Sequence, residues 1–120
     1  MVDENDAAQA KAEAREKIMT ELRARYPEPN FELVQIDIRA GFFVLRNPSH
    51  QEHMMYKKML MDETQQAVAA NNLFVPTCVY PGPAEAQAAL KRWPGILMHE
   101  KVQRAFRYLS GASDTLEGKG

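Results

Sequence analysis

The sequence predicts an α+β fold that is mostly helical: an N-terminal helix, one β-hairpin, then three to four helices ending in an antiparallel helix pair. Three observations carry that prediction. A long Ala/Glu/Lys-rich start has no β character, residues 31–46 alternate around a glycine, and the remainder breaks at prolines and glycines into amphipathic segments.

Residues 5–26 form the first predicted helix, with Asn5 or Asp6 as its cap, because a short side-chain oxygen accepts from the free amides of the first turn. Ala7, Ala14, Ile18, Leu22 and Tyr26 recur at helical spacing. The first half of that stripe is only alanine, so fraying is expected before about Ala12. Pro27 and Pro29 stop the helix, since each restricts the residue before it.

In "FELVQIDIRAGFFVLR" (31–46), Val34, Ile36 and Ile38 share one strand face, and Phe31 and Leu33 begin the other. Gly41 supplies the positive φ that a short connection needs. Phe42, Phe43, Val44 and Leu45 make the second strand apolar on both faces. A two-stranded sheet must be covered, so this surplus predicts self-association, as a homo-oligomer, or partner binding at the hairpin's edge or outer face.

"NPSHQEH" (47–53) raises a chemical question, because His50, Glu52 and His53 stand so close together. Ser49 followed at the third position by Glu52 is a capping box: the hydroxyl accepts from the amide of Glu52, and the carboxylate reaches back to that of Ser49. Two imidazoles with no third ligand near in sequence make a poor metal site, and the pattern is not H-E-x-x-H. A zinc-deaminase pairing with P-C-x-x-C fails, because Thr77 follows Pro76 and Cys78 is the single cysteine. Ser49 and Glu52 are therefore assigned as structural capping, with no catalytic, metal or cofactor-binding residue.

The helix opened by Ser49 runs to about Leu60, with Met55, Tyr56, Met59 and Leu60 as its core arc. A continuous helix to Asn71 would set Glu63 at the centre of the buried face. A restart near Asp62 is expected instead, with Asp62 and Gln65 as a second cap. Met54 and Met61 fall opposite the core arc, beside Lys58. They fit either a surface that adapts to a partner or a helix buried on two sides. Residues 73–80 fit a helical end or extended chain equally well. Pro83 fits the first position of a further helix, with Glu85 favourable near its positive end and a stop at Pro94-Gly95. Residues 96–109 form the last helix, with Met98, Val102, Ala105, Phe106 and Leu109 on one face and Gly111 as its left-handed terminator. The two meet as an antiparallel pair. Trp93 reads as a core plug or a binding hot spot.

The 120 residues are expected to form a single domain over 1–120, compact over about 13–111, with 1–12 and 112–120 frayed. A formal charge of −1 gives no global pull toward nucleic acid or anionic lipid. Lys91, Arg92, Lys101, Arg104 and Arg107 against Glu85 and Glu100 read as a solvated face. No stretch approaches the length of a membrane span or of a leader's apolar run, so no membrane partner is expected and a cytoplasmic location is.

The order of these elements, with Arg46, Pro48, Ser49 and Glu52 in "R-x-P-S-x-x-E", Val79 and Pro81 in "V-x-P", then Pro94, and Leu109 and Gly111 in "L-x-G", resembles the small tail assembly chaperones of long-tailed, siphovirus-like bacteriophages. The resemblance covers roughly residues 31–111; the Ala-rich first helix has no counterpart in it. It implies a non-enzymatic protein of the infected bacterial cytoplasm, absent from the mature virion, that binds the tape measure protein and assists assembly of tail tube protein. Phe42, Phe43, Met54 and Met61 are the expected partner-binding patch. The alternatives are a minor structural or connector protein of the phage particle and a small protein-binding adaptor.

Overall fold

A computed structural model describes residues 4–116. They form five α-helices and a three-stranded antiparallel sheet of order β1-β2-β3, the α+β class expected. Contacts within the chain fall into two compact units, Met1–Glu32 and Leu33–Gly120.

The first unit is α1, Glu4–Arg25, and the turn after it. The helix is already running at Glu4, so Asn5 and Asp6 lie inside it and do not cap it. Glu4 and Asp6 instead occupy the first turn, where the helix dipole favours acid, and Arg23 and Arg25 the last. It is continuous through the segment where fraying was expected, residues 1–3 lying outside the described ones. Alanine's high propensity and side-chain pairs such as Gln9 to Glu13 at 3.2 Å supply what apolar area does not. The buried residues are Met19 and Leu22, while Ala7 and Ala14 are exposed. Phe31 belongs to the turn after the helix and not to a strand: its ring stands edge-on to Tyr26 at 5.2 Å.

In the second unit β1, Leu33–Ile38, pairs with β2, Gly41–Arg46, from Leu33 opposite Arg46 to Ile38 opposite Gly41. Gly41 takes φ 147°, which a side chain would resist. A third strand, β3 (Cys78–Tyr80), lies antiparallel on the other side of β2, with Leu45 opposite Cys78 and Val44 opposite Tyr80. Val79 is the extra residue of a bulge. β2 is thus the central strand. Phe43, Val44 and Leu45 are all buried and Phe42 is half-buried, so most of the apolar surface of β2 is covered within the chain.

The helices are α2 (His50–Leu60), α3 (Gln66–Thr77), α4 (Pro83–Arg92) and α5 (Glu100–Leu109). Residues 73–80 resolve into both of their possible states, helical to Thr77 and extended from Cys78. The restart after α2 occurs at Asp62, by a different device from the one expected. Gln65 makes no side-chain cap. The Asp62 carboxylate accepts from the amide and hydroxyl of Thr64 at 2.9 and 2.7 Å, and Gln66 Nε2 donates to the carbonyl of Leu60 at 2.8 Å.

Pro83 opens α4, as its fixed φ favours. The last helix does not run from Ile96. A 3₁₀ turn, Ile96–Met98, is followed by an extended His99, whose Nδ1 accepts from the amide of Lys101 and caps α5. That break turns Met98 outward, 77% exposed. α5 closes on Gly111 (φ 84°): the amide of Gly111 donates to Tyr108 O and that of Ala112 to Arg107 O, the paired bonds of a Schellman cap.

One face of the sheet, carrying Val34, Ile36, Phe43, Leu45 and Cys78, shares a core with Phe74 of α3. Ala86 and Leu90 of α4 and Val102, Ala105 and Leu109 of α5 complete it; α4 packs on α3 and β3, and α5 on β1, so the last two helices line one cluster without packing closely as a pair. Phe74 stands edge-on to both Phe43, at 5.7 Å, and Phe106, at 6.5 Å. Thr77, the buried polar residue there, donates its hydroxyl to the carbonyl of Leu73 at 2.7 Å.

Candidate functional site

The region that the sequence singled out, 45–61, splits into a clip at its start and an exposed apolar face beyond. At the clip, Ser49 Oγ accepts from the amide of Glu52 at 3.1 Å and Glu52 Oε1 accepts from the amide of Ser49 at 2.8 Å, so the capping box is complete. Arg46, the last residue of β2, joins it through two parallel bonds to the Glu52 carboxylate, of 2.8 and 2.9 Å. The same guanidinium donates to the carbonyl of Asn47 at 3.0 Å and to that of Pro76, near the end of α3, at 3.2 Å. One side chain therefore binds together the end of β2, the first turn of α2 and the last turn of α3.

The Arg46 bonds, helped by those from Ser49 and opposed by burial, pull the Glu52 carboxyl down to about 2. Glu52 remains ionised at any ordinary pH. Its lone pairs are already engaged by Arg46 and Ser49, which suits a fixed structural acceptor better than a proton carrier. His50 is exposed and His53 half-buried on the same first turns of α2. Among the described residues no group of three or more His, Cys, Asp or Glu side chains is placed to hold a metal ion. Cys78 is buried, and that burial raises its thiol to about 11.

Beyond the clip, α2 packs chiefly on α3, so only a narrow stripe of it is covered. Met59 is its buried residue. Met55 and Leu60, expected in the core arc, are 55% and 42% exposed. The expectation failed because it assumed a broad buried face, whereas a helix with one neighbour buries little more than one row of side chains. Met54 and Met61 are 50% and 85% exposed, so α2 is not buried on two sides. With Met55, Gln51, Lys57 and Lys58 they line an open concavity of about 790 Å³. Beside it, Met55, Tyr56, Met59, Ala69, Asn72 and Leu73 border a crevice of about 210 Å³ between α2 and α3.

The expected patch of Phe42, Phe43, Met54 and Met61 is only half assembled. Met54 and Met61 come together on α2. Phe43 is a correction: at 3% exposure it belongs to the core, facing Phe74, and offers nothing to a partner. Phe42, one residue earlier on a pleated strand, points to the opposite sheet face and sets its ring 5.8 Å from that of Tyr80. Met55 was missed as a surface residue; its adjacency to Met54 on a short helix bounded by Pro48 and Asp62 was the available signal. No family model, curated protein or solved structure matches the chain.

Proposed function

We propose that the protein is a non-enzymatic tail assembly chaperone of the long-tailed phage type, which shields apolar helices of the tape measure protein with the outer face of α2. The observation that supports this reading is the cluster of Met54, Met55 and Met61 on the solvent side of a helix, rimmed by Lys57 and Lys58. Unbranched thioether side chains repack against many shapes at little cost. A chaperone for a long helical protein meets varied hydrophobic stripes in place of one fixed epitope, and an adaptable surface suits that task. The lysines give the face solubility when empty and tolerate acidic residues on the flanks of the client helix.

In this reading Arg46, Ser49 and Glu52, residues of the "R-x-P-S-x-x-E" resemblance, hold the methionine-bearing helix in a fixed direction from the sheet. The client would be bound in the host cytoplasm while tail tube subunits are recruited, and the chaperone would then be left out of the virion. Co-expression with the tape measure protein of the same genome tests this. Wild type is expected to keep that protein soluble and co-purify with it. Met54→Asp with Met61→Asp replaces two exposed side chains, so the chaperone stays folded and loses its client. Co-purification by the folded double variant refutes the surface, and failure of wild type to bind refutes the function. Finding the protein in purified virions by mass spectrometry would favour the connector alternative.

A further inference from the structure

A second surface lies away from α2, where the hairpin turn meets the end of α4. Trp93, the residue after α4, is half-buried. The guanidinium carbons of Arg39, in the turn between β1 and β2, and of Arg92, the last residue of α4, each stand 5.3 Å from the centroid of its ring. The two cations are therefore no more than twice that distance apart. Among the described residues no carboxylate forms an ion pair with either. Beside the ring, Ile38 and Ala40 from the hairpin and Pro94 and Ile96 from the following turn wall an open cleft of about 210 Å³.

We infer that the Arg39–Trp93–Arg92 cluster is a docking site for an acidic protein segment, one that sets carboxylates on the two guanidiniums and an apolar side chain in the cleft. This does not depend on the reading given to α2. Two like charges held at one indole repel each other, and a cation–π contact at an exposed site is weak. A carboxylate on each guanidinium offsets that repulsion. The ring holds both planar forks in place beforehand, so less freedom is lost when carboxylates bind bidentately. A free carboxylate ion would leave the cleft empty, and the apolar wall therefore selects an acidic residue beside an aliphatic one. Nucleic acid fits less well: the ring on which a base would stack already carries two guanidiniums, and the chain's formal charge of −1 gives no attraction to a phosphate backbone.

Trp93 is the only tryptophan in the sequence, so fluorescence excited at the red edge of its absorption, where the four tyrosines do not absorb, reports on this cluster. The probe is a short acetylated peptide of repeated Glu-Leu-Glu-Gly, with a lysine-for-glutamate peptide and a thymidine oligonucleotide as comparisons. The expected result is a saturable fluorescence change with the acidic peptide that weakens as salt is raised. Arg39→Gln with Arg92→Gln should raise its Kd by about tenfold, in keeping with the loss of two exposed charge contacts. Arg39→Lys with Arg92→Lys keeps the charge, removes the forks, and should fall between the two; it also serves if the glutamine pair does not fold. No saturable change, an unaltered Kd in the folded variants, equal binding of the lysine peptide, or tighter binding of the oligonucleotide would each overturn the inference.

Discussion

Replacing Glu52 by Gln tests whether the clip at the base of α2 is held by charge. The amide keeps the shape and still offers an oxygen to the backbone of Ser49, but it loses the two charge-assisted bonds to Arg46. In the folded protein the carboxyl sits at about 2 against an ordinary 4.5, chiefly because Arg46 donates to it. A displacement of that size corresponds to about 3 kcal/mol. The Glu52 side chain is 23% exposed and Arg46 17%, and solvent screening lowers the expected loss to about 1–2 kcal/mol. A depressed carboxylate contributes its full stability above pH 4.5 and loses it as pH falls through the folded value near 2. Urea unfolding of wild type and Glu52→Gln at a series of pH values gives the comparison. The two should differ by about 1–2 kcal/mol at pH 7 and converge as pH approaches 2. Equal stability at pH 7, or a gap that persists undiminished at pH 2, would refute an ionic clip. A double-mutant cycle with Arg46→Met should return a coupling of the same order.

Three further outcomes follow from packing and backbone geometry. Gly111→Ala should cost about 1–2 kcal/mol by thermal melting, because φ 84° strains a side chain although nothing lies within 4 Å of the added carbon. Phe43→Ala should cost about 3–5 kcal/mol through a core cavity, and Phe42→Ala only about 1 kcal/mol; equal losses would contradict the sheet's two faces. The Cys78 thiol, buried and raised to about 11, should react with iodoacetamide at pH 8 at least about a hundredfold more slowly in the native protein than in urea.

Sequence and structure agree best where one local interaction decides the outcome. Ser49 and Glu52 satisfy each other within a single turn, Gly41 and Gly111 supply positive φ, and Pro83 presets a helix start; each is visible in a few consecutive letters. Asp62 marked the break correctly, but whether its carboxylate would turn to Thr64 or to Gln65 depends on backbone torsions that the letters leave open. The third strand was out of reach for another reason. "CVY" is too short to show a period, and it becomes a strand only because β2 offers it a free edge. That long-range pairing also decided the site. Without β3 the apolar β2 reads as a binding strand, which puts Phe43 on the surface. The Arg39 and Arg92 pair around Trp93 joins residues more than fifty apart in the chain, and no periodicity reports that.

The bond from Arg46 to the carbonyl of Pro76 spans thirty positions and closes a ring. Everything between, α2 and α3 with their turn, is an excursion that leaves the sheet at β2 and returns to it as β3. Its mouth is cinched by a guanidinium. Its outer part, α2, is the natural unit of local opening, since it buries only Met59 while Phe74 and Cys78 root α3 and β3 in the core. Hydrogen exchange in an Arg46 variant should then quicken across α2 and leave α3 and β1 little changed. The methionine face rides on that helix. In the proposed chaperone role, the direction that face takes from the sheet is set at the far end of α2, by Arg46.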